Sequence, residues 1–117
     1  MWASTSTAAP SVGFSSAMLR HVVLMKFVPE ATAEQRRAVE DGLAALPAQI
    51  PELRSYVIGT DVGASAGNFD FAVVADVDDV DAFRRYIDHP AHMAVVVERI
   101  RPIVADRAAV QYEVADR

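Results

Sequence analysis

Residues 21–28, His21-Val22-Val23-Leu24-Met25-Lys26-Phe27-Val28, form an apolar, β-branched run that Pro29 closes. Such a run predicts a strand with both faces largely buried. His21, Val23, Met25 and Phe27 fall on one face; Val22, Leu24 and Lys26 fall on the other. Thr32 with Gln35 three residues later makes a capping box, and a helix should run from there to about Leu46. Val39, Leu43 and Leu46 are spaced by four and three, which gives that helix one apolar stripe. Gly42, within it, is either tolerated at about 1 kcal/mol against Ala or marks a close approach by another group. Pro47 and Pro51 end the helix.

Leu53 to Asp61 predicts a second strand, and the small residues 62–67 a flexible loop. A third strand follows from Asn68 to Val77. There Phe69, Phe71, Val73, Ala75 and Val77 alternate with Asp70, Ala72, Val74 and Asp76. Asp78 or Asp79 can cap the next helix, which carries Val80, Phe83 and Ile87. His89-Pro90 breaks it, and Pro90 can open another helix over about 91–105. Met93, Val96, Val97 and Ile100 read as its core positions, with Pro102 kinking or ending it. Ala108, Val110, Tyr112 and Val114 alternate in a last strand.

The order β-α-β-β-α-β is the ferredoxin-like, α+β arrangement with an antiparallel sheet. Helices cover one sheet face. The other face is also apolar at Val22, Leu24, Ala72 and Val74, and one chain has nothing to cover it. An uncovered apolar sheet face is usually an interface. Two such sheets stacked face to face make a dimeric α+β barrel, so the expected partner is a second copy of the chain.

Composition narrows the function classes. A chain of 117 residues suits one domain. Net charge is -5, with no dense run of Lys or Arg, which disfavours nucleic acid and anionic membrane surfaces as partners. There is no cysteine, hence no disulfide and no thiolate metal site. No apolar run approaches the roughly 20 residues that span a bilayer. Residues 1–17 are uncharged, Ser/Thr/Ala-rich and without periodicity, and lack the features of a secretory signal. They read as a disordered tail before a domain at 18–117, with Met18 as an alternative start, and the expected location is the cytoplasm.

Candidate chemistry gathers at three histidines and a tyrosine. His21 opens the first strand, and His89 and His92 flank the break in His89-Pro90-Ala91-His92. Tyr86 lies one helical turn before His89. No adjacent carboxylate pair accompanies the imidazoles, so a functional metal is not expected. The acidic run Asp76, Asp78, Asp79 and Asp81 reads as a solvated helix cap. A quiet reading also stands. Tyr86 and His92 can satisfy each other or a backbone carbonyl, His89 can cap a helix, and His21 can be a half-buried strand-end residue.

At these positions the chain resembles the stress-responsive A/B barrel proteins, the Dabb family. The resemblance is carried by the first-strand run from His21 to Phe27, Ile50-Pro51, Gly59-Thr60-Asp61-Val62, Tyr86-Ile87-Asp88-His89-Pro90-Ala91-His92 and the closing Tyr112, over residues 19–114. It implies a ferredoxin-like protomer and a homodimeric barrel. Activities within the family are mixed. A plant member, olivetolic acid cyclase, closes a polyketide by aldol chemistry, and the positions matching its pocket are His21, Tyr86 and His92. The resemblance thus implies cyclase- or isomerase-type proton transfer without an organic cofactor, His92 acting as base and Tyr86 and His21 orienting a small apolar or carbonyl-containing ligand. The pocket would lie between sheet and helices, lined by Val23, Met25, Val39 and Leu43 on one side and by Ile87, His89 and Val95 on the other. Where the cyclase has aromatics, this chain has Val39, Glu40, Leu43, Ala44 and Val95, so a long aromatic polyketide is not expected. The alternative is a non-enzymatic stress or structural dimer. A heme or quinone monooxygenase on the shared fold is a weaker third reading.

Overall fold

A computed structural model describes residues 17–115. The strands are β1 (Ala17–Phe27), β2 (Ser55–Thr60), β3 (Phe71–Val77) and β4 (Val104–Ala115). The helices are α1 (Ala33–Ala44), α2 (Val80–Asp88) and α3 (Pro90–Val95). A 3-10 turn follows α1 at Leu46–Ala48, and a π-helical turn at Val96–Ile100 follows α3. The four strands form one antiparallel sheet in the order β2-β3-β1-β4, the ferredoxin-like arrangement expected from the sequence. Of the expected tail, only Ala17 lies among the described residues, and it pairs with Ala115.

Period-two alternation sets the two faces. Val23, Met25 and Phe27 of β1 and Phe71, Val73, Ala75 and Val77 of β3 are buried beneath the helices. Val39 and Leu43 of α1, with Leu46 in the 3-10 turn, close the core over them. Thr32 and Gln35 form the reciprocal capping box, with hydrogen bonds of 2.9 and 3.0 Å. Gly42 marks a close approach: a Cβ there would meet the Arg99 side chain at 3.0 Å. That side chain crosses the helix to donate to the Ala38 carbonyl at 2.7 Å.

Three expectations shift. The loop at 62–67 is tied down rather than free: Gly63 N and Asn68 Nδ2 donate to the Asp61 carboxylate at 2.9 and 3.0 Å. Strand β3 starts at Phe71 instead of Asn68, because the Asp70 carboxylate turns back to accept from Phe27 N at 2.8 Å. The last helix is two short pieces, and Met93 and Val97 are exposed. The π turn, closed by Arg101 N donating to Val96 O at 2.9 Å, resets the helical phase and breaks the continuous apolar stripe.

Among the described residues no helix covers the opposite sheet face. The register aligns Val57, Val74, Val22 and Val110 in one row across all four strands. Val57 and Val110 are 61% and 53% exposed. Ala72, Leu24 and Ala108 make the adjacent row.

Candidate functional site

The strand register and two helix caps assemble the site. His21 lies on the helix-facing side of β1, opposite Ala75 of β3 and Gln111 of β4. It is 4% exposed. Gln111 Nε2 donates to His21 Nδ1 at 2.9 Å, which leaves the proton of the neutral ring on Nε2. Phe83 and Tyr86, one turn apart on α2, meet the imidazole edge-on with centroids at 4.9 and 6.1 Å.

Asp79 caps α2, accepting from Ala82 N at 2.8 Å. The helix stops at His89-Pro90, where the His89 ring accepts from Ala91 N at 3.0 Å and so caps α3. This break turns His92 back over α2. Its Nδ1–H donates to the Ile87 carbonyl at 2.9 Å, since a carbonyl can only accept. The lone pair of the neutral His92 ring is therefore on Nε2, which has no hydrogen-bond partner among the described residues. The Tyr86 ring lies 4.8 Å away, centroid to centroid.

Both imidazoles stay neutral at pH 7. Burial, then the positive charge of Arg107, lowers His21 to about 4. Burial likewise lowers His92, against the opposing bond to Ile87 O. Burial pushes the Tyr86 phenol up to about 12, so it remains a hydrogen-bond donor. Near it is the buried Tyr56 hydroxyl, which makes no hydrogen bond of good geometry; burial, then the Tyr86 phenol, pushes its pKa well above the ordinary phenol value and keeps it neutral.

His21, Tyr86 and His92 line one cavity of about 420 Å³ between sheet and helices. Val23, Met25, Leu43 and Ile87 form part of its wall, where the sequence puts them. Val39, His89 and Val95 do not line it. Val39 is fully enclosed in the core one turn before Leu43. The His89 ring is committed to capping α3. Val95 turns toward α1, into a separate groove beside Gly42 and Leu46. The helical phase carries the cavity wall from His92 to Val96, four residues on, and then to Ile100.

Sequence reasoning also missed Phe83, Gln111, Arg101 and Arg107 as lining residues. Gln111 and Arg107 reach the cavity through the β1–β4 register, which no local pattern encodes. Phe83 carried a signal, because it lies three residues before Tyr86 on the same helical face. A larger hollow of about 550 Å³ opens beside Leu24, Gly59, Asn68 and Ala72, at the uncovered sheet face. It has no imidazole or phenol to perform proton transfer. Among the described residues no three His, Asp or Glu side chains converge as a metal site requires. Nor is any described helix long and apolar enough to cross a membrane.

The fold and motifs agree with the comparisons. A protein of unknown function from Thermobifida fusca, described as dimeric and ferredoxin-like, is 44% identical with a TM-score of 0.79, covering 92% of this chain and all of that one. An uncharacterised protein of Streptomyces coelicolor is 36% identical over 81 residues, 68% of this chain and 84% of its own. The hydroxynitrile lyase of Passiflora edulis shares the fold at 19% identity, with a TM-score of 0.75 over 85% of this chain and 94% of its own. The model of the stress responsive A/B barrel domain matches residues 19–114. With nearly the whole described chain inside that match, the protein belongs to the stress responsive A/B barrel (Dabb) family.

Proposed function

We propose that the chain works as a homodimer whose helix-side cavity binds a small carbonyl-containing molecule and moves a proton on it. The valine row on the uncovered sheet face supports the dimer, as does the dimeric relative from Thermobifida fusca. One observation carries the chemistry. His92 is fixed through Nδ1 while Nε2 is unengaged, in a cavity whose other polar groups include a phenol and a second imidazole.

In this reading His92 Nε2 takes a proton from the carbon next to the ligand's carbonyl. The C–H electrons pass into the carbonyl, and the oxygen becomes an enolate. His21 Nε2–H and the Tyr86 hydroxyl are the donors available to that oxygen. The resulting His92 imidazolium returns the proton, at the same carbon or at another position. A neutral base and neutral donors fit this work, because each keeps its proton state until the ligand arrives. The cavity's size lies within the range of small-molecule sites.

A panel of simple ketones in D2O, acetophenone and cyclohexanone among them, tests the assignment without the natural ligand. The protein should accelerate exchange of the protons next to the carbonyl, followed by proton NMR. His92→Ala should lower the accelerated rate by about 10²–10⁴-fold. Equal exchange by the variant and the parent would sink the role of His92. A second reading keeps the dimer and drops the chemistry. It is favoured by the bond of His92 to a backbone carbonyl and by the core burial of Tyr86, and it predicts no acceleration by either protein.

A further inference from the structure

Two arginines at the cavity differ from the ion-paired ones. Arg20, Arg54, Arg84 and Arg85 sit in ion pairs with Asp76, Asp78, Asp81 and Glu52. Arg101 and Arg107, by contrast, line the cavity and have no carboxylate within ion-pair distance among the described residues. Arg107 stands opposite Met25 on the helix-facing side of β4, as Gln111 stands opposite His21. It is exposed and close enough that its charge disfavours protonation of both His21 and His92. Asp88 is the one carboxylate in the lining, so two cations face one anion there.

Behind these guanidiniums the wall is apolar, built from Val23, Met25, Leu43, Val96 and Ile100. Cations at an open edge before an apolar chamber suit an amphipathic anion. A guanidinium recognises a carboxylate with two parallel N–H donors, a geometry that a lysine cannot offer. Arg107 also points away from the valine-rich sheet face, so dimerisation through that face leaves it free. We propose that the ligand class is a small apolar monocarboxylate, its body in the chamber and its carboxylate on Arg107, with Arg101 adding charge. The proposal rests on the cavity reading above and narrows it to an oxo acid, with the carbonyl toward His92 and the acid toward β4.

Matched pairs test it: 3-phenylpropanoate against 3-phenylpropanamide, and octanoate against octanamide, by calorimetry on the full chain. The acids should bind about ten-fold or more tighter than their amides, the scale of one hydrogen bond to a charged group. Arg107→Gln should erase most of that preference, and its thermal unfolding should match the parent's, since the side chain is exposed. Arg107→Lys should restore part of it by charge alone. Arg101→Gln should weaken acid binding less than Arg107→Gln. Equal binding of acid and amide overturns the anion preference and leaves the cavity reading standing. An acid preference that survives Arg107→Gln overturns the role of Arg107. Binding of neither acid nor amide overturns both readings together.

Discussion

Val22→Asp should leave the protein monomeric at concentrations where the parent is dimeric. Val22 is half-buried at the centre of the sheet face that no described helix covers, flanked by Val74 on β3 and Val110 on β4. Its side chain points away from the core, so the substitution leaves the helix-side packing intact. Within a single chain the new carboxylate stays in water at little cost. Stacking two such sheets would bury one carboxylate from each copy with no cation in the valine row. Each buried unpaired ion costs several kcal/mol, so association should weaken by at least about three decades. Light scattering at micromolar concentration reads the mass directly, and circular dichroism checks that the monomer is folded. A folded Val22→Asp dimer of parental stability would place the interface on another surface.

Tyr86 separates architecture from chemistry. It is 2% exposed and lies within 6.3 Å, centroid to centroid, of the His21, Phe83 and His92 rings. Tyr86→Ala should cost about 3–5 kcal/mol, because the core cannot collapse to refill the space of a ring. Stabilities of whole domains are only about 5–15 kcal/mol, so this variant should be much weakened or unfolded. Tyr86→Phe retains the ring. Its hydroxyl lies near the Tyr56 hydroxyl without a hydrogen bond of good geometry between them, so losing it should cost at most about 1 kcal/mol. The same change removes a donor to the enolate and should slow ketone exchange by about ten-fold or more. Urea unfolding and the exchange assay together read both effects. If Tyr86→Phe exchanges at the parental rate, Tyr86 is a packing residue alone.

Short-range patterns made most of the fold legible. The alternation in β1 and β3 separated the core face from the uncovered face, and Thr32 with Gln35 marked the start of α1. The His89-Pro90 break, visible as a helix stop, is what swings His92 over Tyr86. The errors arise where geometry depends on phase or on distant pairing. The resemblance puts Val95 at the cavity, but its side chain turns toward α1. The apolar stripe puts Met93 and Val97 in the core, but both are exposed, and past Val95 the chain changes to a π turn, which a residue pattern does not announce. His89 offered an imidazole beside its neighbours, but its ring is taken by a backbone N–H two residues on. Arg107 and Gln111 were invisible because β4 reads locally as an alternating strand. Only its pairing with β1, some ninety residues away for Gln111 and His21, turns those two side chains into a cavity wall.

The proposed chemistry needs His92 to be a neutral base, held by Nδ1, with Nε2 facing the cavity. Nitrogen-15 spectra of the histidine side chains, followed as the pH is lowered from 7, test it directly. His92 should be neutral at pH 7 with its proton on Nδ1, and His21 should stay neutral until the pH nears about 4. The fold therefore disfavours protonated His21. That contribution to stability is complete above the ordinary value near 6.5. It is lost as the pH falls toward 4, by about 3 kcal/mol in all. The His92 ring should carry its proton on Nδ1 and a free lone pair on Nε2. A His92 cation at pH 7, or a ring protonated on Nε2 alone, would contradict it, because no base would then face the cavity.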